Sequence, residues 1–138
     1  MKKSKALLII LVILFSTISI ISISYYFYTT VGIIEYPMIA IVSKSMGIDI
    51  GTDMIRFGGI NPGGGSTRTF SLSNDYDMNV RVMMSVYGDL KDYVSFSDNN
   101  FILKPKEARS IDISVGIPKE MLYGEYKGTM KVVLKREV

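Results

Sequence analysis

Side chains able to do chemistry are few in this 138-residue chain, and they are scattered along it. There is no histidine and no cysteine. Ligands for zinc, iron–sulfur or haem attachment are therefore missing, as are Ser-His-Asp and Cys-His catalysis. The aspartates offer a calcium site as an alternative. Asp49, Asp53, Asp75, Asp77, Asp89, Asp92 and Asp98 stand in or near turn-like sequence, and Asn74-Asp75-Tyr76-Asp77 puts two carboxylates on one loop. The EF-hand pattern with its distal glutamate is absent, and carboxylates in such places ordinarily cap strand ends through Asx turns. The glycines of Gly58-Gly59 and Gly63-Gly64-Gly65-Ser66-Thr67 suggest a phosphate loop. That loop needs a lysine before the Ser/Thr and a helix after it. Gly65 occupies the lysine's place, and Thr67–Ser73 reads as a strand, so the run is read as a turn with a flexible tip. Nine methionines suggest thioether ligation of Cu(I). Met84 and Met130, however, fall at inward strand positions, where Met fills gaps. No metal ligands and no cofactor are expected.

A serine nucleophile is the remaining candidate. Val42-Ser43-Lys44-Ser45-Met46 resembles the catalytic box of type I signal peptidases, Ser-x-Ser-Met followed shortly by proline. The resemblance implies Ser45 as nucleophile, with a lysine from a later strand or a histidine as its base. The proline is missing, the histidine does not exist, and the chain is short for that catalytic fold. The alternative is a plain strand from Met38 to Met46.

Any such residue is positioned by elements that the hydropathy pattern reveals. Hydrophobic residues make up 48% of the chain, and its mean hydropathy is +0.27, high for a soluble domain. Ala6 to Tyr28 carries no charge, long enough as a helix to cross a hydrocarbon core of about 30 Å. Lys2, Lys3 and Lys5 precede it, and Tyr25, Tyr26 and Tyr28 close it, as expected of a cytoplasmic tail and an interfacial belt. A cleaved signal peptide is the rival, with Ser22 and Ser24 before the cut. The apolar run exceeds a usual h-region, and no Ala-x-Ala motif follows it. The expected organisation is a basic cytoplasmic tail over 1–5, a retained transmembrane anchor over 6–28, a linker over 29–35 and an extracytoplasmic domain over 36–138. Without the three N-terminal lysines, basic and acidic residues balance at 13 each. The high pI is therefore local, and nucleic-acid binding is not expected.

Beyond residue 36 the apolar residues alternate with period two. Tyr126, Gly128, Met130, Val132 and Leu134 share one face, against Glu125, Lys127, Thr129, Lys131 and Lys135 on the other. Ile111, Ile113, Val115 and Ile117 form a second inward row, and Val80, Val82, Met84 and Val86 a third. Phe70 and Leu72, then Val94 and Phe96, mark two more strands, and Phe57 also points to the core. Turn residues separate these runs, and Pro118–Leu122 suits one helical turn. Seven or eight short strands over about 100 residues predict an all-β, immunoglobulin-like antiparallel sandwich.

A second resemblance rests on Ile55-Arg56-Phe57-Gly58-Gly59-Ile60-Asn61-Pro62-Gly63, Thr69-Phe70-Ser71-Leu72-Ser73-Asn74, Phe101-Ile102-Leu103-Lys104-Pro105-Lys106-Glu107 and Gly124-Glu125-Tyr126-Lys127-Gly128. These are similar to the turns and strand ends of immunoglobulin-like modules of the MSP/ASH type, with Lys106 where that group usually has glycine. The resemblance implies a binding or scaffolding role and carries over no active site.

The leading expectation is a non-enzymatic, single-pass membrane protein whose exterior domain binds or scaffolds another envelope component. Its partners would be the lipid bilayer and an envelope protein or a second copy, without nucleic acid or small-molecule substrate. The contact is expected at a sheet edge or at the loop Asn61, Pro62, Gly63, Gly64, Gly65 and Ser66. The alternative is a polymerising surface subunit that uses residues 31–46 as an exchanged strand. The third reading is the serine peptidase.

Overall fold

The computed structural model describes residues 2–43 and 54–137. The first element is one helix, α1 (Lys2–Thr29). Within it, Ser4–Thr29 has a hydropathy of 2.9 and no share buried against the rest of the protein. The helix is therefore long and apolar enough to cross a membrane. Its apolar residues are exposed all round, from Leu7 and Leu8 to Phe27, unlike a surface helix with one apolar stripe. Several of its hydroxyls are spent on its own backbone. Ser16 donates to Ile13 O at 2.8 Å, Thr17 to Leu14 O at 2.8 Å and Ser19 to Phe15 O at 2.9 Å. Such back-bonding lets a hydroxyl sit in apolar surroundings without an unmet donor.

Eight strands follow: β1 (Thr30–Val42), β2 (Ile55–Ile60), β3 (Gly65–Ser73), β4 (Val80–Gly88), β5 (Val94–Phe96), β6 (Phe101–Leu103), β7 (Ala108–Gly116) and β8 (Gly124–Arg136). They form a five-stranded sheet in the order β2-β1-β8-β4-β6 and a three-stranded sheet β3-β7-β5. Strand β1 is antiparallel to β8 from Thr30↔Lys135 to Val42↔Gly124, and parallel to β2 from Met38↔Ile55 to Val42↔Ile60. Although first in sequence, β1 sits between β2 and β8 and joins them into one sheet. Residues 29–35, expected as a linker, are instead the last helical residue and the first six residues of β1. The physical reason is their composition. Val31, Ile33, Ile34 and Tyr36 favour the pleated state, and β8 offers its whole length as a template.

The two sheets share one core. Met38, Ala40 and Val42 of β1 meet Val82 and Met84 of β4, Met130 and Val132 of β8, and Ile111, Ile113 and Val115 of β7. Phe57, Leu72, Met84, Val82, Ile113, Val115, Met130 and Val132 are buried, as the alternation predicts. Phe70, Val94, Phe96 and Tyr126 are only half-buried at the rim of that core. Phe70 packs edge-on against Tyr36, with ring centroids 4.8 Å apart. Instead of a helical turn, Pro118–Leu122 contains one turn closed by Met121 N–H donating to Pro118 O at 3.2 Å.

Several strand ends are closed by side chains. The Asn99 amide pairs with β4 as a further strand residue would. Its Oδ1 accepts from Met84 N–H and its Nδ2 donates to Met84 O, both at 2.8 Å. Ser66 Oγ donates to Phe57 O at 2.9 Å and Arg68 Nε to Arg56 O at 2.8 Å, lacing β3 to β2 across the two sheets. Asn74, only 2% exposed, donates through Nδ2 to Met78 O, Leu103 O and Lys104 O. Its Oδ1 accepts from Tyr76 N–H.

Candidate functional site

Two places stand out, one along β1 and one where α1 meets the sheet. The parallel partner β2 covers β1 only from Met38 to Val42. From Thr30 to Pro37 the other side of β1 has no strand beside it among the described residues. In any strand, alternate residues turn their N–H and C=O to each side, so this stretch presents an unpaired row of backbone groups. The sequence there is apolar and β-branched, and Ile33 and Ile34 are 44% and 40% exposed. Pro37 stands where β2 begins and lacks an N–H, a position that suits an edge. The other long edge, β3, is polar and is laced to β2 through Ser66 and Arg68.

The outward face beside this edge is banded in register. Ile33, Val133 and Met83 form an apolar row across β1, β8 and β4, and Glu35, Lys131 and Ser85 form a polar row beyond it. The next row toward α1 is charged, with Lys135 opposite Arg81.

At the junction itself, the Arg136 guanidinium lies 4.6 Å from the Tyr28 ring centre, and Nη1 donates to the Tyr28 hydroxyl at 3.2 Å. Arg81 is held by Glu137 through two bonds, Nε to Oε2 at 2.8 Å and Nη2 to Oε1 at 2.7 Å. That bidentate bond holds the Glu137 carboxyl below the usual range and raises Arg81 above its own. Tyr25, Thr29, Arg81, Lys135, Arg136 and Glu137 line a cleft of about 230 Å³. Two buried polar atoms at this junction, Thr30 Oγ1 and Arg136 Nε, have no hydrogen-bond partner. An unmet buried donor or acceptor ordinarily costs about 1–3 kcal/mol.

The loop singled out from sequence lies at the opposite end of the sheets, since β1 and β2 both run away from α1. Gly64 N–H donates to Asn61 O at 2.9 Å, and Gly63 has φ +82° after Pro62. This is the Pro-Gly order of a type II turn. Gly63 N–H donates to Ile117 O and Ile117 N–H to Gly64 O, at 2.9 and 2.8 Å, so the turn is tied to the end of β7. A Cβ on Gly65 would meet Val115 O at 2.8 Å; glycine here serves close packing of two backbones. Asn61, Gly63, Gly64 and Gly65 are exposed, while Pro62 and Ser66 are half-buried.

Ser45, Asp49 and Asp53 lie outside the described residues. The remaining aspartates are dispersed. Asp77 meets Lys106 at 3.4 Å, Asp98 meets Arg109 at 3.0 Å, and Asp89 accepts from Lys127 N–H at 3.3 Å. Among the described residues no three acidic groups gather where they could hold a metal ion. The Arg81, Lys135, Arg136 and Glu137 group escaped sequence reasoning because Arg81 and Glu137 are 56 residues apart. The available signal was three basic residues, Lys131, Lys135 and Arg136, crowded into one strand end.

Comparison with protein-family models, with curated proteins and with solved structures finds no match for this chain.

Proposed function

We propose that this protein is a non-enzymatic, single-pass membrane protein whose extracytoplasmic β-sandwich scaffolds an envelope partner by strand addition to the open edge of β1. The observation that carries the reading is the mismatch between β1 and its neighbours. β8 pairs with it from end to end, while β2 stops at Met38. Main-chain bonding to such an edge supplies affinity, and the flanking side chains supply selectivity. The partner strand would lie just outside the bilayer, because Thr30 follows the last residue of α1 directly.

The immunoglobulin-like type and the MSP/ASH resemblance belong to the same proposal. Their support is the pairing order. Strands β3-β7-β5 and β4-β8-β1 correspond to the B-E-D and C-F-G sets of an immunoglobulin domain, with β1 in the place of the last strand G. A first strand in the last strand's slot also favours a second reading. The same slot could be filled by residues 31–46 of a neighbouring copy, giving a polymer. Against this stand the direct continuity of β1 with α1 and the burial of its own Met38, Ala40 and Val42.

Hydrogen exchange of the full chain tests the edge reading. Amides of Val31 to Tyr36 that face away from β8 should exchange slowly in native membranes and fast after purification in detergent. Equal rates in both states would refute strand addition there.

A further inference from the structure

The junction cleft has a chemistry of its own. Ser4–Thr29 spans 26 residues, about 39 Å of helix at about 1.5 Å per residue. A hydrocarbon core is about 30 Å thick. The last turn of α1, from Tyr25 to Thr29, then stands at the level of the lipid headgroups, and so do the side chains that touch it. Arg136 touches Tyr28 directly. Lys135 and Arg81 line the same cleft.

The charges there do not cancel. Glu137 is the one acidic residue lining the cleft, and both of its oxygens are engaged by Arg81. Lys135 has no carboxylate partner among the described residues, and Arg136 meets only the neutral Tyr28 hydroxyl and ring. Among the described residues these two cations therefore have no carboxylate of their own. Their setting is built by the fold: Arg136 is fixed by its stacking on Tyr28, and its Nε and the neighbouring Thr30 Oγ1 are buried without partners. An ammonium and a guanidinium brought to one cleft from successive positions of β8, with tyrosine and threonine around them, suit a phosphodiester oxygen pair.

We propose that this cleft binds the phosphate of an anionic membrane lipid headgroup, held chiefly by Lys135 and Arg136. The site rests on the membrane-anchored reading of α1. It would fix the tilt and height of the domain above the bilayer, presenting the open edge of β1 at constant distance from the surface. A free phosphate ion shares the same chemistry, and the experiment separates the two sources.

The full chain is reconstituted into vesicles of phosphatidylcholine mixed equally with phosphatidylglycerol, and flotation reads anchoring. Extraction in mild detergent followed by native mass spectrometry reads which lipid stays bound. Wild type should retain phosphatidylglycerol over phosphatidylcholine. Each cation near an anionic surface is worth about a 5-fold change in binding, so Lys135→Gln should lower the preference about 5-fold and the Lys135→Gln/Arg136→Gln pair about 30-fold. Arg136→Lys keeps the charge while altering the stacking, and should keep most of the preference. Lys127→Gln, about 26 Å further along β8, should leave it unchanged.

Floating wild type without lipid preference, or a preference unchanged in the double variant, would overturn the site. Release of the retained lipid by millimolar inorganic phosphate would assign the cleft to free phosphate and overturn the lipid assignment. Failure to float would overturn the anchor reading itself, an outcome distinct from floating protein that shows no preference.

Discussion

Arg136 and Tyr28 are 108 residues apart in sequence, yet the guanidinium stacks on the ring at 4.6 Å and bonds its hydroxyl at 3.2 Å. Their contact closes a loop formed by the whole β domain. The strand that leaves α1 and the strand that ends the described chain are neighbours, so the sheet stands on the helix at two points. Cation–π contacts at partly exposed sites contribute about 0.5–1 kcal/mol. Tyr28→Ala should therefore lower the domain's melting temperature by only a few degrees while loosening the domain relative to the bilayer. Fluorescence anisotropy of a label on the domain checks this, and an anisotropy equal to wild type would show that the contact does not restrain it.

Orientation can be read directly because the chain has no native cysteine. A cysteine at Thr67, exposed on β3, should react with a membrane-impermeant maleimide in intact cells. One at Ser4, beside the N-terminal lysines, should react only after permeabilisation. The reverse pattern would invert the topology.

Asn74 should be intolerant in a diagnostic way. Its Nδ2 donates to three carbonyl oxygens in a buried pocket. Asn74→Ala removes these bonds and should cost about 1–3 kcal/mol. Asn74→Asp places a carboxylate against the same carbonyls, which burial and repulsion both disfavour. It should be the worse of the two at neutral pH and recover partly as acid protonates it. Thermal melts at two pH values decide this; an aspartate variant as stable as wild type at neutral pH would contradict the assigned bonding.

The hold of β8 on β4 near the junction should depend on pH in one direction. Glu137 is depressed in the folded state by Arg81. The pair's contribution is thus fully present above the ordinary glutamate value of about 4.3 and is lost as pH falls through the depressed native value. Protection of the β8 amides near Lys135, after correction for the intrinsic pH dependence of exchange, should fall below that range in wild type and stay level there in Glu137→Gln. Identical profiles for the two proteins would show the pair to be inconsequential.

Lys106 has φ +62°, a left-handed conformation that costs a side-chain-bearing residue about 1–2 kcal/mol. Glycine relieves that strain but gives back roughly 0.4–1 kcal/mol through the freer unfolded chain. The exposed Nζ contacts with Asp75 O and Asp77 contribute little. Lys106→Gly should therefore be neutral to stabilising by about 0.5 kcal/mol. A clear loss of stability would show that the lysine's contacts outweigh its backbone strain.

Much of this architecture was legible because period-two alternation survives wherever one face of a strand meets solvent. The inward rows of β4, β7 and β8 are the rows that the sequence marks, and Lys127, Lys131 and Lys135 lie opposite them. β1 was harder to read. From Ile39 to Val42 both faces carry apolar residues, so the pattern does not reveal that Met38, Ala40 and Val42 are the inward set. Leu90 and Leu103 were missed for another reason: one lies in a turn and the other in a three-residue strand, too short for any period to show. The junction cleft was invisible because cross-strand neighbours are set by register, and register is a property of two strands at once.

The most direct test of the central claim is site-specific photo-crosslinking in native membranes, with the photoreactive residue at Ile33 beside the open edge of β1 and, as control, at Thr67 on the polar edge of β3. The account predicts a discrete, saturable adduct from Ile33 and none from Thr67. No adduct from Ile33, or the same adducts from both positions, would contradict it.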